Sequence, residues 1–402
     1  MKSSNQFLYR FFPALFIYIM SIGIIFPRGS IATQGIGILF VIVTIYYFFR
    51  EYKSIKLFTA LYLLIIYLYC LIAFSSNFFY SLSNLASTTI WVLILPISFL
   101  VIDSLDKFKN LINSIALIGA LYILNIIIST LLNIKGKSYS GEIFDVGNVF
   151  TEGLNSMAYL LTAAPLILYL NPKHRRLIVI LSVVIFILVF VQLKRISIIA
   201  ILVGLLLNLF FSRNRINIFF GLILSSLFLF IAYPIFENTL QKQVKARERR
   251  LSTQNFEEEG RYQETFVVLN EIVFSGNPAL LFFGKEVFNS PGNYANGRYG
   301  RRMIHNDYNV ILHGSGVVGL ILFVIWPLPL FIFYRKIKIY AKFNFEDKKL
   351  FDYMSVTFVS FLIMGYIISF SGGVNAIRMA VLGAVLRIFF EHSKKHLQTN
   401  QL

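Results

Sequence analysis

The chain has 402 residues, 57% of them hydrophobic and only 14% charged, with a net charge of +18 and a mean hydropathy of +0.71. A soluble domain sits nearer half apolar and about a quarter charged, so an ordinary soluble domain is excluded. The one cysteine, Cys70, lies in an apolar run; an intrachain disulfide and thiol ligation of a metal are excluded with it.

The apolar residues form continuous Leu/Ile/Phe/Val blocks, not alternating ten-residue strands, which predicts helices rather than a β-barrel. A hydrocarbon core of about 30 Å takes about 20 residues of helix. In chain order, spans are expected near 7–26, 33–49, 57–74, 84–102, 111–132, 154–170, 177–192, 196–211, 216–235, 308–334, 353–371 and 374–391. Phe26-Pro27-Arg28 follows the first block where a signal peptide would carry small residues, so that block reads as a retained helix. No repeat of 20–50 residues stands out. The expected fold is all-α, a single polytopic membrane domain over 1–402 with about twelve transmembrane helices and a large external loop, 236–305, between the ninth and tenth.

Short cytoplasmic loops collect Lys and Arg. With the N-terminus inside, cytoplasmic segments hold twenty Lys and Arg and the short external loops five. Both termini are therefore expected in the cytoplasm. Most of the positive charge is explained by topology, and nucleic acid is excluded as the partner it implies. The 70-residue loop 236–305 holds ten more Lys and Arg beside eight Glu. Long loops escape the orientation rule, and a structureless loop of this length is improbable without a function. Apolar spacing between Gly260 and Phe283 predicts short amphipathic helices lying on the outer surface.

Three places could carry chemistry. The block 177–211 is too long for one crossing and short for two, with Lys194-Arg195 at its middle. Two helices must meet there at a tight turn just below the outer surface. Arg195 is then a functional candidate, against simple snorkelling at a helix end. Gly260-Arg261-Tyr262 opens a predicted helix. Arg261 gains little from the helix dipole, and anion binding beside the free N–H groups is one account of it, a solvated surface Arg another. His305, Asn309 and His313 are spaced i, i+4, i+8. If a helix begins by Asn306 they share one face pointing down from the outer surface, where histidine can act as a general base or as a structural interfacial residue. No carboxylate or thiol at familiar spacing completes a tetrahedral set with the two histidines, so no metal and no cofactor are expected. Arg298, Arg301 and Arg302 add positive charge suited to phosphate, which Arg meets as a bidentate fork.

At these residues the sequence resembles the O-antigen polymerase and O-antigen ligase superfamily of bacterial envelope glycan enzymes. Gln192-Leu193-Lys194-Arg195-Ile196-Ser197 resembles its Ser/Thr-Arg helix start, with Lys194 where the family commonly has a small hydroxyl residue. Gly260-Arg261, then Asn277-Pro278 and Phe283-Gly284, resembles its Gly-Arg amphipathic stretch. His305-Asn306-Asp307-Tyr308, then Leu312, Gly316, Gly319-Leu320 and Phe323, resembles its His-Asn and Gly-x-x-Gly-Leu element. The resemblance covers about 195–325.

It implies a metal-independent membrane glycosyltransferase whose donor is a glycan on undecaprenyl pyrophosphate, working on the outer face of the bacterial cytoplasmic membrane. Arg195 and Arg261 would clamp the pyrophosphate, and His305 would orient or deprotonate the acceptor hydroxyl. Arg378 in the last span is a further substrate-binding candidate, against snorkelling to the surface; Arg298, Arg301, Arg302 and His313 stand behind it. Two activities fit: a polymerase of lipid-linked repeat units, with a chain-length regulator as an optional partner, or a ligase moving finished polymer to a lipid A core. A transporter or flippase is the third reading; it would show two related halves and mid-membrane charge, and no duplication stands out.

Overall fold

The computed structural model describes residues 56–131, 153–191, 195–211, 260–297, 306–366 and 374–399, with Tyr46, Glu237, Gln241 and Ile304 besides. Regular structure among them is helical throughout. After a 3₁₀ turn at Lys56–Phe58 come α1 (Thr59–Ile72), α2 (Phe78–Val101), α3 (Leu105–Leu131), α4 (Gly153–Leu170), α5 (Arg175–Val191) and α6 (Arg195–Phe211). The second half carries α7 (Gly260–Ile272), α8 (Pro278–Phe283), α9 (Asp307–Ile325), α10 (Pro327–Asn344), α11 (Lys348–Met364) and α12 (Val374–Thr399). The spans expected at 7–26 and 216–235 lie outside the described residues, and so does 33–49 apart from Tyr46. Two described helices are long and apolar enough to cross a membrane: Phe78–Val101, and Asp307–Asn344 taken as one. Lys56–Ile72, Ala158–Leu170 and Ile198–Leu209 are shorter apolar helices.

The helix at the centre is α12. Every residue from Asn375 to Leu386 is buried, as expected of a helix apolar all round. It packs along α2 and α10 and touches α11, α3 and α4. Gly383 lets the α2 backbone come against α12 at Leu95, where a side chain would collide with the Leu95 carbonyl. Next to it Pro96 interrupts the α2 ladder. Ser98 donates to the Ala380 carbonyl across the same contact at 2.6 Å. A second close approach joins α4 and α6, where Gly204 leaves room for Thr162, the small-on-small contact that lets two helix backbones approach. α5 begins just after α4 ends and packs back along it, and α6 begins just after α5 ends and packs on α4 as well, so the starts of α4 and α6 are at the same end of the bundle.

The expected single span 308–334 is not one straight helix. Gly316 has φ 65° and ψ −166°, outside any helix. In a straight helix the Cα atoms of Tyr308 and Phe323 would be about 22 Å apart at 1.5 Å per residue. Their rings instead meet edge to face with centroids 5.5 Å apart. Hence Asp307–Ser315 folds back against Val317–Ile325, and α9 is a bent pair. Periodicity could not reveal this: His313-Gly314-Ser315-Gly316 interrupts the apolar run at the bend, but the interruption does not give the sign of φ.

The stretch from Gly260 to Phe283 forms two short helices, as its apolar spacing predicts. Gly276 at φ 70° and Pro278 divide the stretch into α7 and α8, with Asn277 capping α8 by accepting from the Ala279 N–H at 3.0 Å. α8 docks through its backbone against the bend of α9, with none of its own residues buried. A Cβ on Gly316 would sit 2.5 Å from the Phe282 carbonyl carbon and oxygen, and one on Gly284 would sit 2.5 Å from the Ser315 nitrogen. The Tyr67 hydroxyl donates to both the Phe282 and Ser315 carbonyls at 3.0 Å. The Glu286 carboxylate then ties the following segment to the α1–α2 turn. It accepts from the Ser76 N–H at 3.2 Å and hydroxyl at 2.8 Å, from the Ser75 hydroxyl at 3.3 Å, and from Asn289.

Gly316→Ala should therefore destabilise by well over the roughly 1–2 kcal/mol of a left-handed non-glycine residue, because the added carbon meets backbone. Gly292→Ala, at φ 79° with nothing within 4 Å, should lose only that conformational amount. Thermal unfolding of the two variants in detergent, side by side, checks this.

Candidate functional site

The start of α9 is built by Asn306, whose side chain accepts from the Tyr308 N–H at 3.1 Å, so the helix begins where an Asx cap predicts. Alongside it runs α7. The Asn309 amide donates to the Thr265 hydroxyl at 2.8 Å. Further along, His313 Nε2 lies 3.9 Å from a Glu271 carboxylate oxygen. Thr265 pairs with Asn309 and the later Glu271 with the later His313, so the two helices run in the same direction. The Arg261 end of α7 is thus at the Asp307 end of α9.

Asn309 and His313 do share a face, as their spacing predicts, but that face is covered by α7 rather than open below the surface. His313 is 1% exposed and packs edge-on against the Tyr294 ring. The other Glu271 oxygen accepts from the Ala295 N–H at 2.7 Å. Val268, Ile272, Tyr294, Ile304 and Leu312 close a small apolar core around them. Glu271 is the carboxylate that sequence spacing missed, because it lies 42 positions before His313 and reaches it only through the pairing of α7 with α9.

Arg378 is the largest fully buried side chain, 2% exposed. It stands four residues into α12. Its Nε and Nη2 have no hydrogen-bond partner, and no carboxylate lies within ion-pairing distance among the described residues. Gly365 makes room for it, since Nη1 fills the place a Cβ would occupy there. Tyr159, Tyr308 and Tyr366 all lie within electrostatic reach of the guanidinium, and Asp307 within reach of Tyr159 and Tyr308. The Tyr308 hydroxyl donates to the Tyr366 carbonyl at 2.8 Å, and the Tyr366 hydroxyl to the Val324 carbonyl at 2.9 Å. That chain braces the start of α9 against its own returning half and against the end of α11. Beside Arg378 is a cleft walled by Phe323, Trp326, Phe361, Tyr366 and Leu382. The guanidinium is thus buried beside the Tyr159 hydroxyl, with Nε and Nη2 left without a partner, an arrangement that is unfavourable by itself.

The expected site residues are distributed as follows. Arg195 opens α6 and Arg261 is the second residue of α7; their side chains lie outside the described residues, as do Arg298, Arg301, Arg302 and His305 altogether. What the structure brings together is the Asp307 end of α9, the Arg261 end of α7, and Arg378 with its three tyrosines. The start of α6 lies at the same end of the bundle, since Tyr159 is one turn before Thr162 on α4. The tyrosines have no sequence signal, because Tyr159, Tyr308 and Tyr366 come from three different helices or their ends. No protein-family model matches the chain, and no curated protein matches it in sequence.

Arg378→Met removes a buried cation without orphaning an acid. Replacing a buried charge by an apolar side chain of similar volume is often neutral or stabilising by about 1–4 kcal/mol. The variant should unfold at or above the wild-type temperature, whereas a large drop would show that Arg378 holds the fold together.

Proposed function

We propose that the chain is a polytopic membrane protein of twelve spans with both termini cytoplasmic, and that it polymerises lipid-linked oligosaccharide repeat units at its outer face. The observation that carries this reading is Arg378. It is a buried cation with idle donors, at the bundle end where the helices opened by Arg195 and Arg261 and the segment following His305 also begin. Blocks of apolar sequence and the uneven distribution of Lys and Arg support the membrane topology.

In this reading the acceptor hydroxyl of one repeat unit attacks the anomeric carbon of the glycan on another. The new glycosidic C–O bond forms as the bond to undecaprenyl pyrophosphate breaks, and the pyrophosphate leaves with the electron pair. His305 takes the hydroxyl proton. Arg195, Arg261 and Arg378 stabilise the charge developing on the leaving group, an electrostatic role in a water-poor site, so no metal or cofactor is needed. Arg298, Arg301, Arg302 and His313 support binding around it. A chain-length regulator is compatible with this scheme. The runner-up is a ligase delivering polymer to a lipid A core, which shares donor and residues. A flippase is favoured less, since the polar groups gather at one end rather than at mid-depth.

The test is the purified protein with undecaprenyl-pyrophosphate repeat units as sole substrate. A ladder of longer lipid-linked glycans is expected, lost in Arg261→Ala and His305→Ala. In Arg378→Lys it should fall at least about tenfold, because a point charge cannot replace the fork. Transfer only after a lipid A core is added would establish the ligase; inertness in both assays would return the question to transport.

A further inference from the structure

Seven aromatic side chains are exposed on two short stretches that sequence alone places in or beside aqueous loops. Phe74, Phe78, Phe79 and Tyr80 flank the α1–α2 turn, and Phe274, Phe282 and Phe283 lie on and before α8. The most open are Phe74 at 82%, Phe79 at 81%, Phe274 at 71% and Phe283 at 52%. The two stretches form one surface. Glu286 ties the chain just beyond α8 to Ser75 and Ser76, and the Asn84 amide donates to the Phe288 carbonyl at 3.3 Å.

Depth is set by Tyr67. It lies five residues before the Ile72 end of α1, about 7–8 Å along the helix, and a helical side chain leans toward its own N-terminus, away from that end. Its hydroxyl holds the Phe282 carbonyl. With the topology proposed above, α8 therefore lies below the outer end of α1, inside the membrane rather than over it. Pro278-Ala-Leu-Leu-Phe-Phe283 carries no charge and buries none of its residues. Its polar backbone is served from within: the Leu281 N–H bonds the Asn277 carbonyl at 3.0 Å and the Gly284 N–H the Leu280 carbonyl at 2.9 Å. That is what hydrocarbon requires of a backbone. The helices that α8 docks on, α1 and α9, also expose aliphatic residues, Leu63 and Ile66 on α1 and Ile321 and Ile325 on α9.

We infer that Phe74, Phe79, Phe274 and Phe283 form a wedge inserted among the acyl chains of the outer leaflet, which seats α8 and the bend of α9 at a fixed depth. The inference rests on the membrane topology proposed above and not on the glycosyl-transfer chemistry.

Spin labelling of the full-length protein in phosphatidylcholine/phosphatidylglycerol vesicles tests it. In a Cys70→Ser background, single cysteines replace Phe283 or Phe79, with Ile325→Cys as the lipid-facing control and Lys173→Cys as the aqueous one. Collision with oxygen, which concentrates in hydrocarbon, is compared with collision with a water-soluble nickel chelate. Labels at 283 and 79 should match Ile325, with an oxygen-to-nickel ratio at least roughly fivefold above Lys173. Labels at 283 and 79 that read like Lys173 while Ile325 reads as lipid would overturn the wedge alone. Shielding from both reagents with spin–spin broadening would overturn it in favour of a second copy of the chain on that face. Should Ile325 also read as aqueous, the membrane topology falls and the wedge with it. No arm depends on activity, so loss of the glycan ladder and loss of the wedge are separate results.

Discussion

The bend at Gly316 is the constraint on which the rest of the architecture depends. A glycine in the left-handed region turns α9 back on itself, and the space a side chain would have filled is taken by the Phe282 carbonyl. Gly284 and Gly314 make the matching concessions, with backbone of the opposite segment within about 3 Å of where a Cβ would stand. Van der Waals contact between bare backbones fixes position more tightly than side-chain packing can, because nothing in the joint has rotamers to exchange. Once α8 is seated there, Tyr67 holds its last turn and Glu286 the segment just beyond it, and α7 pairs with α9 alongside.

The buried arginine is the opposite kind of device. The bend is held by bare backbone contact, whereas Arg378 stands as a buried charge among three tyrosines and apolar walls, its Nε and Nη2 without a partner. Desolvating a guanidinium without an acid is unfavourable by itself. A fold that retains one there must offset it through the packing of α12 against α2 and α10, the most completely buried part of the molecule. The tyrosine chain from Tyr308 to Tyr366 to Val324 makes the same side chains serve both ends of the bend. A change of angle in α9 would then be transmitted to the cation's surroundings.

Helix type was legible throughout the described residues, and so were several boundaries, since Asn306 and Asn277 are Asx caps with ordinary chemistry. The neighbourhood of helix starts around His305 and Arg261 could be anticipated because each motif begins a helix. The reversal at Gly316 could not. His313-Gly314-Ser315-Gly316 marks a weak point in the run, but glycine inside a helix is tolerated, and hydrophobic periodicity carries no information on the sign of φ. Glu271 was hidden for a different reason: its partner is set by how two helices lie together. Arg378 was visible as a charge in an apolar block, but its lack of an acidic partner is a property of the surroundings, and only three dimensions supply those.

The placement of α12 bears on how the molecule is assembled. The helix that fills the centre is the last of the described helices to be synthesised, and its closest packing is with α2. Ser98 must find Ala380 across 282 positions of chain. Contacts of such separation are the slow ones. Helices made earlier carry a groove where α12 will lie, so Leu95, Pro96 and their neighbours stay uncovered until α12 has been made. Arg378 arrives with that same helix. Closure of the core and the placing of Arg378 among its tyrosines are thus a single event, and a chain without α12 has neither.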